Sequence, residues 1–557
     1  MKKTTFLILA LLVSIISFSQ IAPDKYYIQF TDKNDSPYSI GNPEEFLTQR
    51  SLDRRAKYSI EITEQDIPVN PLYLEGVAAA GAEILNVTKW LNGVTIYTTD
   101  QSVVDDVLAL PYVESVAKMI DRYNPIEKQF FENEIIGDGD MPENLKSIRS
   151  ASSTDYGFGA NQIEQLNGAL LHDEGYRGEG MVIAVLDAGF QSVQTHPLFD
   201  SLWANDQILG TKDFVFPDGN VYTGHTHGRS VLSCMGANIE GMLVGTAPKA
   251  SYWLLRSEEP NAENVIEEYN WVSAAEFADS VGADVINSSL GYIDFDIPVW
   301  DHTYDDMDGN TAVVTIGADI ASEKGILVVN SAGNSGSSSS FPWIGAPADG
   351  NNVFSIGAVT SSGSRASFSS IGPTADGRIK PVVMAQGQGS AIADGGSGVT
   401  TGSGTSFSSP IMAGMSACLI QAYPNKTPLE IQESLKQSAN SASFPDNYMG
   451  WGIPDFMSAY SLLTTIEIGE SLKDFASVYP NPFIDDITIR LSYESADEVK
   501  LMLMDVNGRL IFSEVHNLSG NNEQLIISNK IKKLNSGIYF LGITIDQRAE
   551  VKRIVKK

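Results

Sequence analysis

The stretch MVIAVLDAG, residues 181–189, decides how the middle of this chain folds. Val182 to Leu186 run without a polar break and end in Asp187, Ala188 and Gly189. A half-buried strand would alternate with a period of two. An unbroken apolar run of this length suits a strand covered on both faces, as in a parallel sheet between helices. ADVINSSLG (283–291) and GILVVNSAGN (325–334) show the same pattern, and helical stretches follow. The middle of the chain is therefore expected to be α/β with a central parallel sheet. In such sheets ligands gather beyond the carboxyl ends of the strands. Those ends carry Asp187, Asn287, Ser288, Ser289 and Asn334.

The chain of 557 residues is too long for one ordinary domain, and about three units are expected. Its 43% hydrophobic content supports sizeable cores. Lys plus Arg is 37 and Asp plus Glu is 69, so the net charge is 37 − 69 = −32, which argues against nucleic acid or an anionic membrane as partner. Residues 1–19 read as a secretory signal: Lys2 and Lys3, an apolar stretch from Phe6 to Ile16, then Ser17 and Ser19 at a cleavage site. No cysteine follows it to carry a lipid, and no later stretch is long and apolar enough to span a bilayer. Cys234 and Cys418 are the two cysteines, so disulfides do not hold this chain together. Free buried thiols are expected, with a single bridge as the alternative.

Three textures follow the signal. Residues 20–150 hold a small α/β unit and a linker. KYYIQF (25–30), EILNVTKW (83–90), GVTIYTT (93–99) and YVESVAKM (112–119) read as strands. NPEEFLTQRSLDRRAKY (42–58), NPLYLEGVAAAGA (70–82) and DQSVVDDVLAL (100–110) read as helices, the last capped by Asp100. Residues 121–155 are polar, acidic and without a period, which predicts a linker. Residues 156–464 carry the buried runs. From 477 to 557 the period is two, as in ITIRLSY (487–493), with a hairpin turn at Asn507-Gly508, which predicts a small all-β sandwich.

SGTSFSSP (403–410) carries the first chemical signal. Ser406 opens a helical stretch to Tyr423, so its N–H is one of the unpaired amides at a helix start, with Pro410 expected near the first turn. Alone, such a serine reads as a helix cap. As a nucleophile it needs a base to take its proton and a third group to hold the base. The chain has six histidines, and two lie in GHTHGRS (224–230). HGRSVLSCMGA (227–237) reads as a helix starting near His227, followed by Gly228 for close packing, and His225 falls in the loop before it.

These motifs, in the order Asp, His, Asn, Ser, resemble those of the subtilisin-like serine proteases over about residues 160–464. VIAVLDAGF resembles the aspartate motif, HGRSVLS the histidine motif, VVNSAGNSG the oxyanion motif, GTSFSSP the nucleophile motif, and ASFSSIGPTADGRIKP (366–381) a further family stretch. The resemblance implies Asp187 as orienting acid, His227 as base, Ser406 as nucleophile and Asn334 as oxyanion donor. It also implies that Ser289, Leu290, Gly291 and Gly333 bind substrate, and that cleavage requires no metal or cofactor. Three positions depart from the family's usual residues: Ala188 next after the aspartate, Arg229 two after the histidine and Ser408 two after the serine. Members often carry structural calcium, but DDMDGN (305–310) lacks the spacing of a calcium loop, and a solvated acidic loop is expected.

The flanks fit the same resemblance. Residues 25–120 resemble the ferredoxin-like propeptide that assists folding and inhibits until removed. VYPNPF (478–483) through the basic end resembles the C-terminal sorting domain read by the type IX secretion system of Bacteroidetes. The expectation is a secreted or cell-surface monomeric endopeptidase acting on proteins or peptides, with its own propeptide and the type IX machinery as partners. The rival is an inactive subtilase scaffold that binds at the cell surface; Arg229 favours it, and four intact chemical groups oppose it.

Overall fold

A computed structural model describes residues 24–119, 134–137, 152–216, 219–467, 476–491, 498–505, 510–518, 524–528, 530–545 and 548–557. The signal at 1–19, most of the linker and the Asn507-Gly508 turn lie outside the described residues. The chain forms two compact units, Met1–Ala459 and Tyr460–Lys557.

The first unit begins with a four-stranded antiparallel sheet in the order Glu83–Thr88, Gly93–Tyr97, Lys25–Phe30, Val113–Lys118. Helices Gln49–Lys57, Pro71–Ala79 and Gln101–Leu108 accompany it. The last starts at its expected cap, Asp100 accepting from Ser102 N, and Asn70 caps the second by accepting from Leu72 N. The helix expected over 42–58 is broken. A 3-10 turn covers Pro43–Glu45, and the α-helix starts at Gln49. Thr48 is the reason, since its extended backbone and its Oγ1, accepting from Ser51 N at 3.4 Å, make a second helix start inside the apparent run.

Seven strands form the central sheet, in the order Val383–Gln386, Phe354–Val359, Leu327–Ser331, Val285–Ser288, Val182–Asp187, Ser251–Arg256, Ile208–Asp213. Every neighbouring pair is parallel. All six residues of Val182–Asp187 are buried, as the unbroken run predicts. Alternate residues of the strands serve different layers. Ala184, Leu186, Ile286 and Val328 share a core with Trp271 and Val272 of helix Ile266–Val281 and with Val314 and Ala318 of helix Val313–Glu323. Helix Thr405–Ala422 lies against strands Val285–Ser288, Leu327–Ser331 and Phe354–Val359, and against helix His227–Gly236. Pro410 falls inside that helix rather than in its first turn, because the helix starts at Thr405 behind Gly404.

The small antiparallel unit docks on helix Ile266–Val281 through buried charge. Arg54 and Arg55 both reach Asp279, Arg55 at 2.9 Å, and Arg55 also reaches Asp66 at 3.0 Å, where Lys324 lies at 3.2 Å. Glu276 accepts from Lys89 N at 2.8 Å and Trp90 N at 2.9 Å. Buried charges are tolerable when paired and hydrogen-bonded in this way. Cys234 and Cys418 are free, buried thiols and not a bridge.

The second unit is two antiparallel sheets around one core. One orders Ala476–Tyr479, Ile487–Leu491 and Gln524–Ile527; the other orders Leu510–Asn517, Glu498–Asp505, Gly537–Ile545 and Arg548–Lys556. Ile487, Ile489 and Leu491 pack with Val499, Leu501, Leu503, Leu541 and Ile543, the alternate residues that the period of two marks as inward.

Candidate active site

Strand Val182–Asp187 ends with a carboxylate that is fully buried. The Ala188 N–H donates to Asp187 Oδ1 at 2.8 Å, and both carboxylate oxygens lie 2.9 Å from His227 Nδ1. A carboxylate facing Nδ1 fixes that nitrogen as the N–H and leaves Nε2 to exchange the proton. His227 is the first residue of helix His227–Gly236, held close to the strand end because the Gly228 N–H donates to Gly189 O at 3.0 Å. A Cβ on Gly228 would fall 2.5 Å from that same oxygen, so the residue after His227 must be glycine. Burial opposes a charge on His227, but Asp187 and then Glu134 outweigh it, and its pKa is pushed up to about 10. His225 serves differently. Its Nδ1 accepts from His227 N at 3.2 Å, and burial and the neighbouring His227 hold its pKa below the ordinary value.

Ser406 is the second residue of helix Thr405–Ala422 and is buried. Its Oγ donates to Ser289 O at 3.2 Å. Asn334 follows strand Leu327–Ser331, and its Oδ1 accepts from Thr405 N at 2.8 Å and from Thr405 Oγ1 at 3.0 Å. With the oxygen held, the amide –NH2 is the end turned to other partners. Gly333 N donates to Thr405 Oγ1 at 3.1 Å, with φ at +102°. Thr405 therefore orients the amide of Asn334 and the turn at Gly333 together. Sequence reading missed it, although its place beside Ser406 at a helix start was the available signal.

The residues expected to bind substrate divide. Ser289 lies under the nucleophile, and its Oγ donates to Ser406 O at 2.9 Å. The side chain of Leu290 belongs to the core with Trp271 and Tyr292, so what it offers a cleft is backbone. Gly291 is open, the nearest atom to a Cβ there being Ala346 O at 3.7 Å. The three departures are accommodated. Ala188 is buried, Ser408 Oγ donates to Thr405 O at 2.9 Å within its own helix, and the charge of Arg229, on the histidine helix, is met by that of Asp394.

In the acidic loop, Asp306 accepts from Thr303, and Asp308 from Asn310 and Thr311, so these carboxylates serve the turn itself. Among the described residues one group is close enough to share an ion: Glu258, Glu263 and Glu267, buried, with ligand atoms within 4.8 Å of one another. Burial lifts the carboxyl of Glu258 well above its usual range and that of Glu267 to about 8. The neighbouring Glu267 adds to the effect of burial on Glu258.

Residues 178–452 match the Subtilase family, residues 25–133 the peptidase S8 propeptide domain of Bacteroidota, and residues 477–557 the secretion system C-terminal sorting domain. The chain is 33% identical to subtilisin E of Bacillus subtilis (strain 168) over 293 residues, 52% of this chain and 67% of that protein. It is 31% identical to subtilisin of Bacillus pumilus over 315 residues, 56% of this chain and 99% of that one. A thermophilic serine proteinase of Bacillus sp. (strain AK1) is 30% identical over 275 residues, 49% of this chain and 60% of that protein. The chain belongs to the subtilase family: it is a serine endopeptidase with an N-terminal propeptide domain, exported by means of its C-terminal sorting domain to the cell surface or beyond.

Proposed function

We propose that this chain hydrolyses peptide bonds through an acyl-enzyme on Ser406. The observation that carries the reading is the buried Asp187 carboxylate with both oxygens 2.9 Å from His227 Nδ1. Ser406 Oγ attacks the substrate carbonyl while His227 Nε2 accepts its proton. The imidazolium forms at a helix N-terminus, where the helix dipole disfavours positive charge, and Asp187 offsets this. The Asn334 –NH2 and the Ser406 N–H, an amide in the first turn of its helix, donate to the oxyanion. His227 then protonates the leaving amine, and water repeats the sequence on the ester. No step draws on a metal or cofactor.

In this reading residues 20–150 are propeptide and linker, 156–464 the peptidase and 477–557 the sorting domain. Substrates are proteins or peptides, with Ser289, Leu290, Gly291 and Gly333 beside the scissile bond. The N-terminal unit inhibits until removed, and the enzyme acts as a monomer. The test is covalent labelling with a serine-directed fluorophosphonate followed by peptide mapping. The label is expected on Ser406, with hydrolysis of a protein substrate lost in Ser406→Ala. Hydrolysis that survives Ser406→Ala would refute the assignment.

A further inference from the structure

Residues Glu134–Gly137 lie between the propeptide sheet and the catalytic unit in sequence, and they run into the catalytic cleft. Ile135 and Ile136 add antiparallel to strand Val399–Ser403, with Ile135 opposite Ser403 and Ile136 opposite Gly402. The Gly137 N–H donates to Thr401 O at 2.8 Å, and Thr400 Oγ1 donates to Gly137 O at 2.9 Å. Strand Val399–Ser403 leads through Gly404 into the helix that carries Ser406, so the added strand ends beside the nucleophile. There the side chain of Glu134, 4% exposed, places Oε2 3.2 Å from His227 Nε2. Gly404 makes room for it: a Cβ at that position would sit 2.9 Å from Glu134 Oε1 and 3.0 Å from its Cδ. Ile135 and Ile136 are 70% and 49% exposed, so apolar burial is not what holds this strand. Backbone pairing and the buried carboxylate hold it.

We propose that Glu134 is an inhibitor built into the chain, its carboxylate occupying the nitrogen of His227 that must receive the Ser406 proton. The inference rests on the proteolytic reading of Ser406 and His227. A carboxylate at Nε2 stabilises the imidazolium, and an imidazolium accepts no further proton. Ser406 is idle in the same state, its hydroxyl proton directed to Ser289 O. Charged or polar groups that meet His227 include Asp187 at the strand end, His225 in the adjoining loop and Glu134. Of these, Glu134 alone precedes the catalytic unit in the chain. Activation then requires residues 134–137 to leave strand Val399–Ser403. Inhibition thus acts inside the site, apart from the docking of the propeptide sheet on helix Ile266–Val281.

The test compares full-length wild type with Glu134→Gln and Glu134→Asp. Each uncleaved chain is exposed briefly to an alkyl fluorophosphonate, and intact mass separates labelled uncleaved chains from processed ones. Uncleaved Glu134→Gln is expected to label at least about tenfold faster than uncleaved wild type, since removing one buried ion pair shifts the open population by at least that factor. Glu134→Asp, with a shorter reach, should fall between them, and processed enzyme from all three should label alike. Cooperative unfolding and an unchanged near-ultraviolet circular dichroism spectrum, measured in the Ser406→Ala background, exclude a folding defect. Equal labelling rates of folded, uncleaved wild type and Glu134→Gln would overturn the proposal. If processed wild type also fails to label, the proteolytic reading itself is refuted and the inhibitor role with it.

Discussion

Ser289 and Ser406 hydrogen-bond reciprocally: Ser289 Oγ donates to Ser406 O at 2.9 Å, and Ser406 Oγ donates to Ser289 O at 3.2 Å. The first bond replaces one that the helix cannot make. Ser406 O would normally accept from the residue four positions on, and that residue is Pro410, which has no N–H. Ser289→Ala should therefore leave a buried carbonyl unsatisfied and cost about 1–3 kcal/mol. In a Pro410→Ala background the helix can supply its own donor, and the same substitution should cost less. Denaturant unfolding of the four combinations, all in a Ser406→Ala chain to prevent self-digestion, checks this coupling. Strict additivity would refute it.

The two histidines of GHTHGRS should separate cleanly. His227→Ala is expected to abolish peptide hydrolysis in folded protein, whereas His225→Ala should keep most of it, because His225 supports the loop through His227 N. The reverse pattern would reassign the base.

Asn334→Ala should lower kcat by about 10²–10³ with little change in KM, the size known for removing such a donor from a subtilisin. Thr405→Val removes the hydroxyl bound to Asn334 Oδ1 and Gly333 N but leaves the donor in place. A smaller loss in kcat, about tenfold, is expected for one lost orienting bond. An effect confined to KM would show that these residues bind substrate rather than hold the oxyanion.

Asp279 is the common partner of Arg54 and Arg55. Asp279→Ala leaves two buried guanidinium groups short of an acceptor. The full-length Ser406→Ala chain should lose about 3–5 kcal/mol, the cost of breaking a buried ion pair by removing one partner. Calorimetry or denaturant unfolding would show it. A change within about 0.5 kcal/mol, typical of a surface substitution, would mean that the cluster does not hold the propeptide unit.

Two buried imidazoles bound the pH range of the uncleaved chain from opposite sides. His172 donates from Nε2 to Thr246 O and accepts at Nδ1 from the Tyr156 hydroxyl, both at 2.9 Å, and burial lowers its pKa from 6.5 to about 4. The unfolded chain binds that proton first, so this contribution is lost as pH falls from about 6.5 to about 4. His227 has its pKa raised from 6.5 to about 10. Its contribution is complete below about 6.5 and is lost as pH rises towards 10. In Ser406→Ala protein, Glu134→Gln should shorten the alkaline limb of a stability–pH profile and leave the acid limb unchanged.

Much of this protein was legible in its sequence, for local reasons. An apolar run without alternation marked Val182–Asp187 as doubly covered, a period of two marked Ile487–Leu491 as half-covered, and Asp100 marked a helix start. These signals act within a few residues, so they survive without tertiary knowledge. The family resemblance picked out His227 over His225, and it is the Nδ1 of His227 that meets Asp187. Where two local signals competed, as at Thr48 inside the helix expected over 42–58, the reading merged them. Pairings between distant segments were not legible at all. That Thr405 orients Asn334, that Ser289 stands in for the N–H missing from Pro410, and that Glu134 reaches His227 depend on strands and helices meeting in three dimensions. A side chain's partner across such a junction is chosen by packing, and packing leaves no periodicity in the sequence. The sequence determined the elements and the order of the chemical groups. The tertiary structure decided which atoms of those groups face one another.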